Sequence, residues 1–206
     1  MAGPLEQVIW DATSDPVPTA PPWFSVWNLR VDGGALMSAD GRYGDATWGQ
    51  PMGGRAAAWL EMADDLTSGE VQLWVDYTLA VWWEDEWVNL VDLEAEVQVD
   101  GVWPGDIGGG LRRGDRLALV VDGNEAQVWL SRAGGGWTPI LAGEVPTPTD
   151  GYIGLLVGLQ ARVARFGGGP LVAPGPTVWL HDGSRLVRCA VRDAAGNPAN
   201  LLLGVD

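Results

Sequence analysis

The chain contains no lysine, one cysteine (Cys189) and one histidine (His181) among its 206 residues. A single cysteine excludes an intrachain disulfide and a cysteine metal cluster. A single histidine excludes zinc held by a histidine cluster. His181 stands directly before Asp182-Gly183-Ser184, and neighbours in a tight turn cannot adopt the spatial arrangement of a Ser-His-Asp triad. No apolar run approaches the ~20 residues of a membrane span, so membrane insertion is not expected. Met1 to Gln7 lacks the basic region and apolar stretch of a signal peptide, and the expectation is synthesis in a cytoplasm. With lysine absent, every basic side chain is arginine. The 12 basic residues face 27 acidic ones, for a net charge of −15. Phosphate backbones and anionic membranes repel such a surface, which disfavours nucleic-acid binding.

What is abundant is glycine (30), tryptophan (13) and proline (14), against only two phenylalanines. Glycine at about twice its usual share punctuates the chain into short pieces, as an all-β protein requires. Leu5–Trp10, Phe24–Val31, Ala56–Met62 and Glu70–Tyr77 read as strands, and a helix over Ala56–Leu66 stays open. Asp40–Gly54 reads as a glycine-rich loop carrying Tyr43 and Trp48. Val88–Val99 is the longest expected strand, with Val91, Leu93, Ala95, Val97 and Val99 on one face and Asp92, Glu94, Glu96 and Gln98 on the other. Arg116–Val121 and Ala126–Leu130 form a hairpin about Asp122-Gly123-Asn124. Trp137–Leu141, Tyr152–Gln160 and Ala161–Phe166 follow. The triplets Gly108–Gly110 and Gly167–Gly169 lack the lysine and following helix of a phosphate loop, and read as turns.

Ten to twelve short strands predict an all-β, two-sheet antiparallel jelly-roll sandwich. Residues 1–168 are assigned to the sandwich, 169–176 to a Pro/Gly linker and 177–206 to a C-terminal hairpin arm. The arm is too small to hold a core of its own, so it is expected to dock on the sandwich or on another subunit.

Gly114-Asp115-Arg116-Leu117-Ala118-Leu119, Val120-Val121-Asp122-Gly123 and Val128-Trp129-Leu130 resemble the hairpin of concanavalin A-like and laminin-G-like sandwich domains. Asp150-Gly151-Tyr152-Ile153-Gly154-Leu155 resembles their penultimate strand, and Ala164-Arg165-Phe166 the last. Many members continue Arg-Phe-Asp where this chain has Gly167, so no role of that acid carries over. The resemblance covers about residues 5–168 and is specific from about 111 to 168. It implies a lectin, a family 16 glucanase or a surface protein of a tailed bacteriophage. The lysine-free, Trp- and Gly-rich style and the short tail after a Pro-rich linker are most similar to the phage group, in minor tail or capsid decoration proteins.

Two constellations could carry chemistry. Asp92-Leu93-Glu94-Ala95-Glu96 would set three carboxylates on one strand face. It resembles the family 16 motif but has Asp and Glu exchanged at its first two acidic positions. Its plainer reading is the wet side of a half-buried strand. Trp82, Trp83, Glu84, Asp85 and Trp87, with Trp48 and Trp103 nearby, suit glycan binding. Indoles stack on sugar rings and carboxylates accept from sugar hydroxyls, although the same tryptophans could fill a core or a subunit interface. Cofactors are not expected. Calcium stands as a candidate ion through Asp40–Asp45 or Asp122 and Asn124, both of which read first as turns.

The expectation is therefore a non-enzymatic virion protein of a tailed phage. Its partners would be other virion proteins and copies of itself, with a host-surface glycan as a further ligand. Trp179, Leu186, Val187, Leu201, Leu202 and Leu203 would supply the assembly surface of the arm. The alternatives are a carbohydrate-binding module and, behind it, a family 16-like hydrolase.

Overall fold

The computed structural model describes residues 5–171 apart from 21, 85–86 and 149, and also the strand backbones 177–181 and 186–190. The chain divides into two compact units, 2–170 and 171–206, the latter together with residue 1.

The strands of the first unit are β1 (Val8–Asp11), β2 (Trp23–Trp27), β3 (Leu29–Asp32), β4 (Ala35–Ser38), β5 (Tyr43–Trp48), β6 (Arg55–Met62), β7 (Glu70–Val75) and β8 (Leu79–Trp83). They continue as β9 (Val88–Asp92), β10 (Val97–Val102), β11 (Arg116–Asp122), β12 (Glu125–Ser131), β13 (Thr138–Glu144), β14 (Ile153–Gly158) and β15 (Val163–Pro170), with one 3-10 turn at Pro104–Ile107. They form two antiparallel sheets. The first has the order β13-β12-β11-β6-β15-β4-β3 with β1 added on β15, and the second the order β10-β9-β8-β7-β14-β5-β2. This is the two-sheet jelly roll the turn spacing predicts. In the second unit, β16 (Thr177–His181) and β17 (Leu186–Ala190) make an antiparallel hairpin.

Alternation decides which side chains enter the core. Val71, Leu73 and Val75 of β7, Val81 and Trp83 of β8, Val88 and Leu90 of β9, and Ile153, Leu155 and Val157 of β14 all lie in the buried cluster. They meet Ala56, Ala58, Leu60 and Met62 of β6 and Leu117, Leu119 and Val121 of β11 from the other sheet. Each fully buried leucine, isoleucine or valine contributes about 1.5–3 kcal/mol through removal from water. The odd-numbered residues of β7 therefore face inward and Glu70, Gln72 and Trp74 face outward, as pleating requires.

Five expectations are corrected. Asp40–Gly54 is not a loop throughout, because Tyr43–Trp48 forms β5 between β2 and β14. The helical reading of Ala56–Leu66 fails because β6 is paired on both sides, by β11 and β15. Phe24–Val31 is not one strand, since β2 lies in the second sheet and β3 in the first. Asn28 breaks it at φ 53°, a left-handed conformation that asparagine tolerates. Its amide donates to the Tyr43 carbonyl (2.5 Å) and to Asp40 (2.7 Å), fixing the crossing.

Val88–Val99 is likewise two strands. Asp92 Oδ1 accepts from the backbone N–H groups of Glu94 and Ala95, both at 3.0 Å, and Glu96 has φ 55°. The aspartate thus folds the chain back on itself, as Asx turns do. Finally, Gly167–Gly169 is not a turn but part of β15. A Cβ on Gly167 would sit 2.1 Å from the Gln7 carbonyl and 2.4 Å from the Trp59 ring, so the strands close only over glycine.

Candidate functional site

The outward face of the second sheet is built of two neighbouring rows. The first runs across the ladder as Trp27, Asp45, Leu156, Gln72, Trp82 and Asn89, each paired in register with the next. The second begins Tyr43, Gly158, Glu70, also in register. Beyond Glu70 lies Glu84, at the end of β8, whose N–H donates to the Trp87 carbonyl at 3.0 Å to close the β8–β9 connection. Trp87 and Trp103 flank the last β9–β10 pair, Val88 with Val102. Their rings meet edge to face with centroids 5.5 Å apart. Trp27, Trp87 and Trp103 are 57%, 47% and 45% exposed.

Glu70 is the electrostatic centre of this face. Its Oε2 accepts from Trp82 Nε1–H at 2.5 Å, and its carboxyl also touches that of Glu84. Burial first, and the Glu84 charge after it, push the Glu70 pKa above the ordinary carboxylate value, with the Trp82 hydrogen bond acting against them. Gly158 makes the packing possible, since a Cβ there would lie 2.5 Å from Glu70 Cγ and 3.0 Å from the Tyr43 ring. Asp45 is half-buried beside Trp27, and burial alone raises its pKa. On the remaining side of the face, Trp74 stacks with Tyr77 at 5.6 Å. The Tyr77 hydroxyl bonds Ser25 and Thr47.

Of the sequence-expected residues, Trp82, Glu84, Trp87 and Trp103 are gathered at this face. Trp83 is not among them: at 1% exposure it is a core side chain, because it alternates with Trp82. Trp48 also turns away, packing edge to face on Trp23 at 5.2 Å. Asp85, Leu201, Leu202 and Leu203 lie outside the described residues. Trp179, Leu186 and Val187 lie on β16 and β17 of the second unit.

Asp92, Glu94 and Glu96 do not share a strand face, because the turn at Asp92 separates them, and the spacing that motivated a hydrolytic reading is lost. Glu70, Gln72 and Asn89 were not singled out from the sequence, and Tyr43 and Asp45 were placed in a loop, Asp45 as a candidate calcium ligand, rather than on this face. Their signal was present in the period-2 pattern of β7, but Tyr43–Trp48 reads as a loop until its pairing with β14 is known.

One acid of each candidate calcium segment is engaged by the protein itself. Asp40 accepts from Asn28, Ser38 and the Arg42 N–H, which hold its pKa low. Asp122 is paired with Arg55 at 2.6 Å. Among the described residues no group of three or more histidine, cysteine or acidic side chains is placed to hold a metal. No described helix is long and apolar enough to cross a membrane.

No protein-family model matches the chain, and no curated protein matches it in sequence. Solved structures do match. The calcium-bound exoplasmic/lumenal domain of VIP36 superposes with TM-score 0.60 at 12% identity, covering 96% of this chain and 97% of that one. The same domain bound to calcium and Man3GlcNAc gives TM-score 0.58 at 12% identity, over 75% of this chain and 88% of that one. The Bauhinia forficata lectin in complex with GalNAc gives TM-score 0.50 at 14% identity, over 70% of this chain and 91% of that one. At such identities the likeness is one of fold: the first unit is a concanavalin A-like, lectin-type jelly roll.

Proposed function

We propose that the chain is a non-enzymatic glycan-binding sandwich whose ligand lies across the outward face of its second sheet. One observation carries this reading. Five aromatic side chains (Trp27, Tyr43, Trp82, Trp87 and Trp103) belong to two adjacent rows that also hold Asp45, Glu70, Gln72, Glu84 and Asn89. Aromatic faces stack on the apolar faces of pyranose rings, while carboxylates and amides bond the hydroxyl edges. Retaining hydrolysis needs two carboxyls about 5 Å apart with the sugar between them. Glu70 and Glu84 instead touch, leaving no room for it. Calorimetric titration with a panel of neutral, amino and uronic oligosaccharides tests the reading. At least one class is expected to bind, with Trp87→Ala weakening it about tenfold, or ~1.4 kcal/mol. No binding by any class would sink the proposal.

The setting we propose is the particle of a tailed bacteriophage, in a minor tail or capsid decoration protein. This rests on the lysine-free, Trp- and Gly-rich composition and on the Pro-rich segment 170–176 before a short arm. In this setting Trp179, Leu186, Val187 and Leu201–Leu203 supply apolar surface to a neighbouring virion subunit. Light scattering over a range of concentrations tests self-assembly. A closed trimer, pentamer or hexamer supports it, and a chain that remains monomeric and is absent from purified particles counts against it.

A further inference from the structure

From the donor and acceptor inventory of this face we infer that its ligand class is a protonated amino sugar, an oligosaccharide with free ammonium groups rather than acetamides or carboxylates. The inference rests on the glycan reading above and sharpens it. The seven strands of the second sheet contain no arginine, lysine or histidine, whereas β3, β6, β11 and β15 of the first sheet each carry an arginine. The acids of the outward face thus lack cationic partners on their own sheet. Asp45 has its pKa raised by burial with no hydrogen bond or charge to offset it, and Glu70 and Glu84 meet as like charges. Arg42, which precedes β5, adds its charge to Asp40.

Such a face attracts cations twice over. Its carboxylates act through Coulomb attraction in a partly desolvated setting, and Trp27, Tyr43, Trp82, Trp87 and Trp103 through their electron-rich rings. An ammonium held against the exposed Glu84 carboxylate would offset the like charge it presents to Glu70.

A second feature points to a hydroxyl-bearing ligand rather than a bare amine. Trp74 is only 5% exposed and lies on this same face, with Cε2, Nε1 and Cζ2 over the bare Gly154. Its Nε1–H is the one buried side-chain polar atom on the strands of the second sheet, among the described residues, with no hydrogen-bond partner. Tyr77 stacks over that indole from a turn in which Asp76 and Tyr77 have φ 60° and 57°. A face with unpaired acceptors and one unmet donor matches a molecule carrying ammonium and hydroxyl groups together.

The test uses the full chain near pH 6, where amino-sugar ammonium and ordinary carboxylates are both largely charged. A fully deacetylated β-1,4-glucosamine oligomer, its N-acetylated counterpart and a galacturonate oligomer of the same length are titrated in turn. The deacetylated oligomer is expected to bind about tenfold more tightly than the acetylated one, and the galacturonate oligomer not at all. Asp45→Asn and Glu84→Gln should each shrink that ratio severalfold, while Glu125→Gln on the opposite sheet leaves it unchanged. Equal or tighter binding of the acetylated or galacturonate oligomer overturns this inference but leaves glycan binding standing. Absence of binding by all three, together with a neutral β-glucan oligomer, removes both.

Discussion

The indole N–H of Trp82 donates to the carboxylate of Glu70 at 2.5 Å, diagonally across the β7–β8 ladder, tying an aromatic platform to a raised-pKa carboxyl. The two residues lie twelve apart in sequence, and the short β7–β8 turn folds one beside the other. Each of the following predictions rests on a contact of this kind.

Stability should depend on pH in two opposing limbs. Glu70 and Asp45 have raised pKa values, so the native state keeps their protons longer than the unfolded chain. The stability this gives is present at low pH and is lost as pH rises above the ordinary carboxylate range, through the folded values. Asp11 and Asp40 are held low, chiefly by hydrogen bonds from Thr13 and Asn28 respectively. Their contribution is present above that range and is lost as pH falls through their folded values. Thermal melts followed by circular dichroism should show Tm passing through a maximum at mildly acidic pH. The double variant Glu70→Gln/Asp45→Asn should flatten the upper limb alone. An upper limb that persists in the variant would place its origin elsewhere.

Arg132, just past the end of β12, is expected to be the most costly arginine of the first unit to remove. Its guanidinium pairs with the buried Asp115 at 2.6 Å and donates to the carbonyls of Ile107, Gly109 and Gly110 at 2.7, 2.7 and 2.8 Å. Arg132→Ala strands a buried carboxylate and should lower unfolding stability by about 3 kcal/mol. Arg55→Ala, which breaks an exposed pair with Asp122, should cost about 0.5 kcal/mol. Urea denaturation of the two variants compares them directly, and equal losses would contradict this account of the 104–110 segment.

An aspartate at position 167, after Arg165-Phe166, should not be tolerated. Gly167→Ala already drives a Cβ into the Gln7 carbonyl and the Trp59 ring. Its cost should be about 3 kcal/mol, with Gly167→Asp worse because it also buries a charge. Soluble yield and melting temperature read this out. Wild-type-like melting of Gly167→Ala would mean that β1 does not seat on β15 as described.

Asp92, Glu94 and Glu96 separate cleanly by role. Asp92→Ala removes the acceptor for two backbone N–H groups and should cost about 1 kcal/mol. Glu94→Gln/Glu96→Gln should leave stability and ligand binding unchanged. Any polysaccharide cleavage that disappeared in that double variant would return the turn to consideration as a catalytic site.

These contacts also mark how far the sequence could be read. The hairpin Arg116–Leu130 was legible because strict alternation flanks Asp122-Gly123-Asn124, and its register holds from Arg116 with Ser131 to Asp122 with Glu125. The sheet change at Asn28 was not, because Phe24–Val31 alternates without interruption and only tertiary bonds to Asp40 and Tyr43 force the left-handed residue. Tyr43–Trp48 looked like a loop because Gly44 and Asp45 are poor strand formers. Gly44 is required there by the Asn28 carbonyl, which a Cβ would meet at 2.4 Å. Trp82, Glu84, Trp87 and Trp103 could be picked out as a cluster of chemistry-bearing types. Tyr43, Asp45 and Glu70 could not be placed together, since β5 and β7 meet only through β14, far along the chain.

The most direct measurement is an NMR titration of the tryptophan indole N–H resonances with saccharide, starting with the deacetylated glucosamine oligomer and continuing through the neutral and uronic panel. If the second sheet is the binding face, the signals of Trp27, Trp82, Trp87 and Trp103 shift together, while those of Trp59 and Trp129 on the first sheet stay in place. Shifts confined to the first sheet, or no shift with any saccharide, would contradict the account.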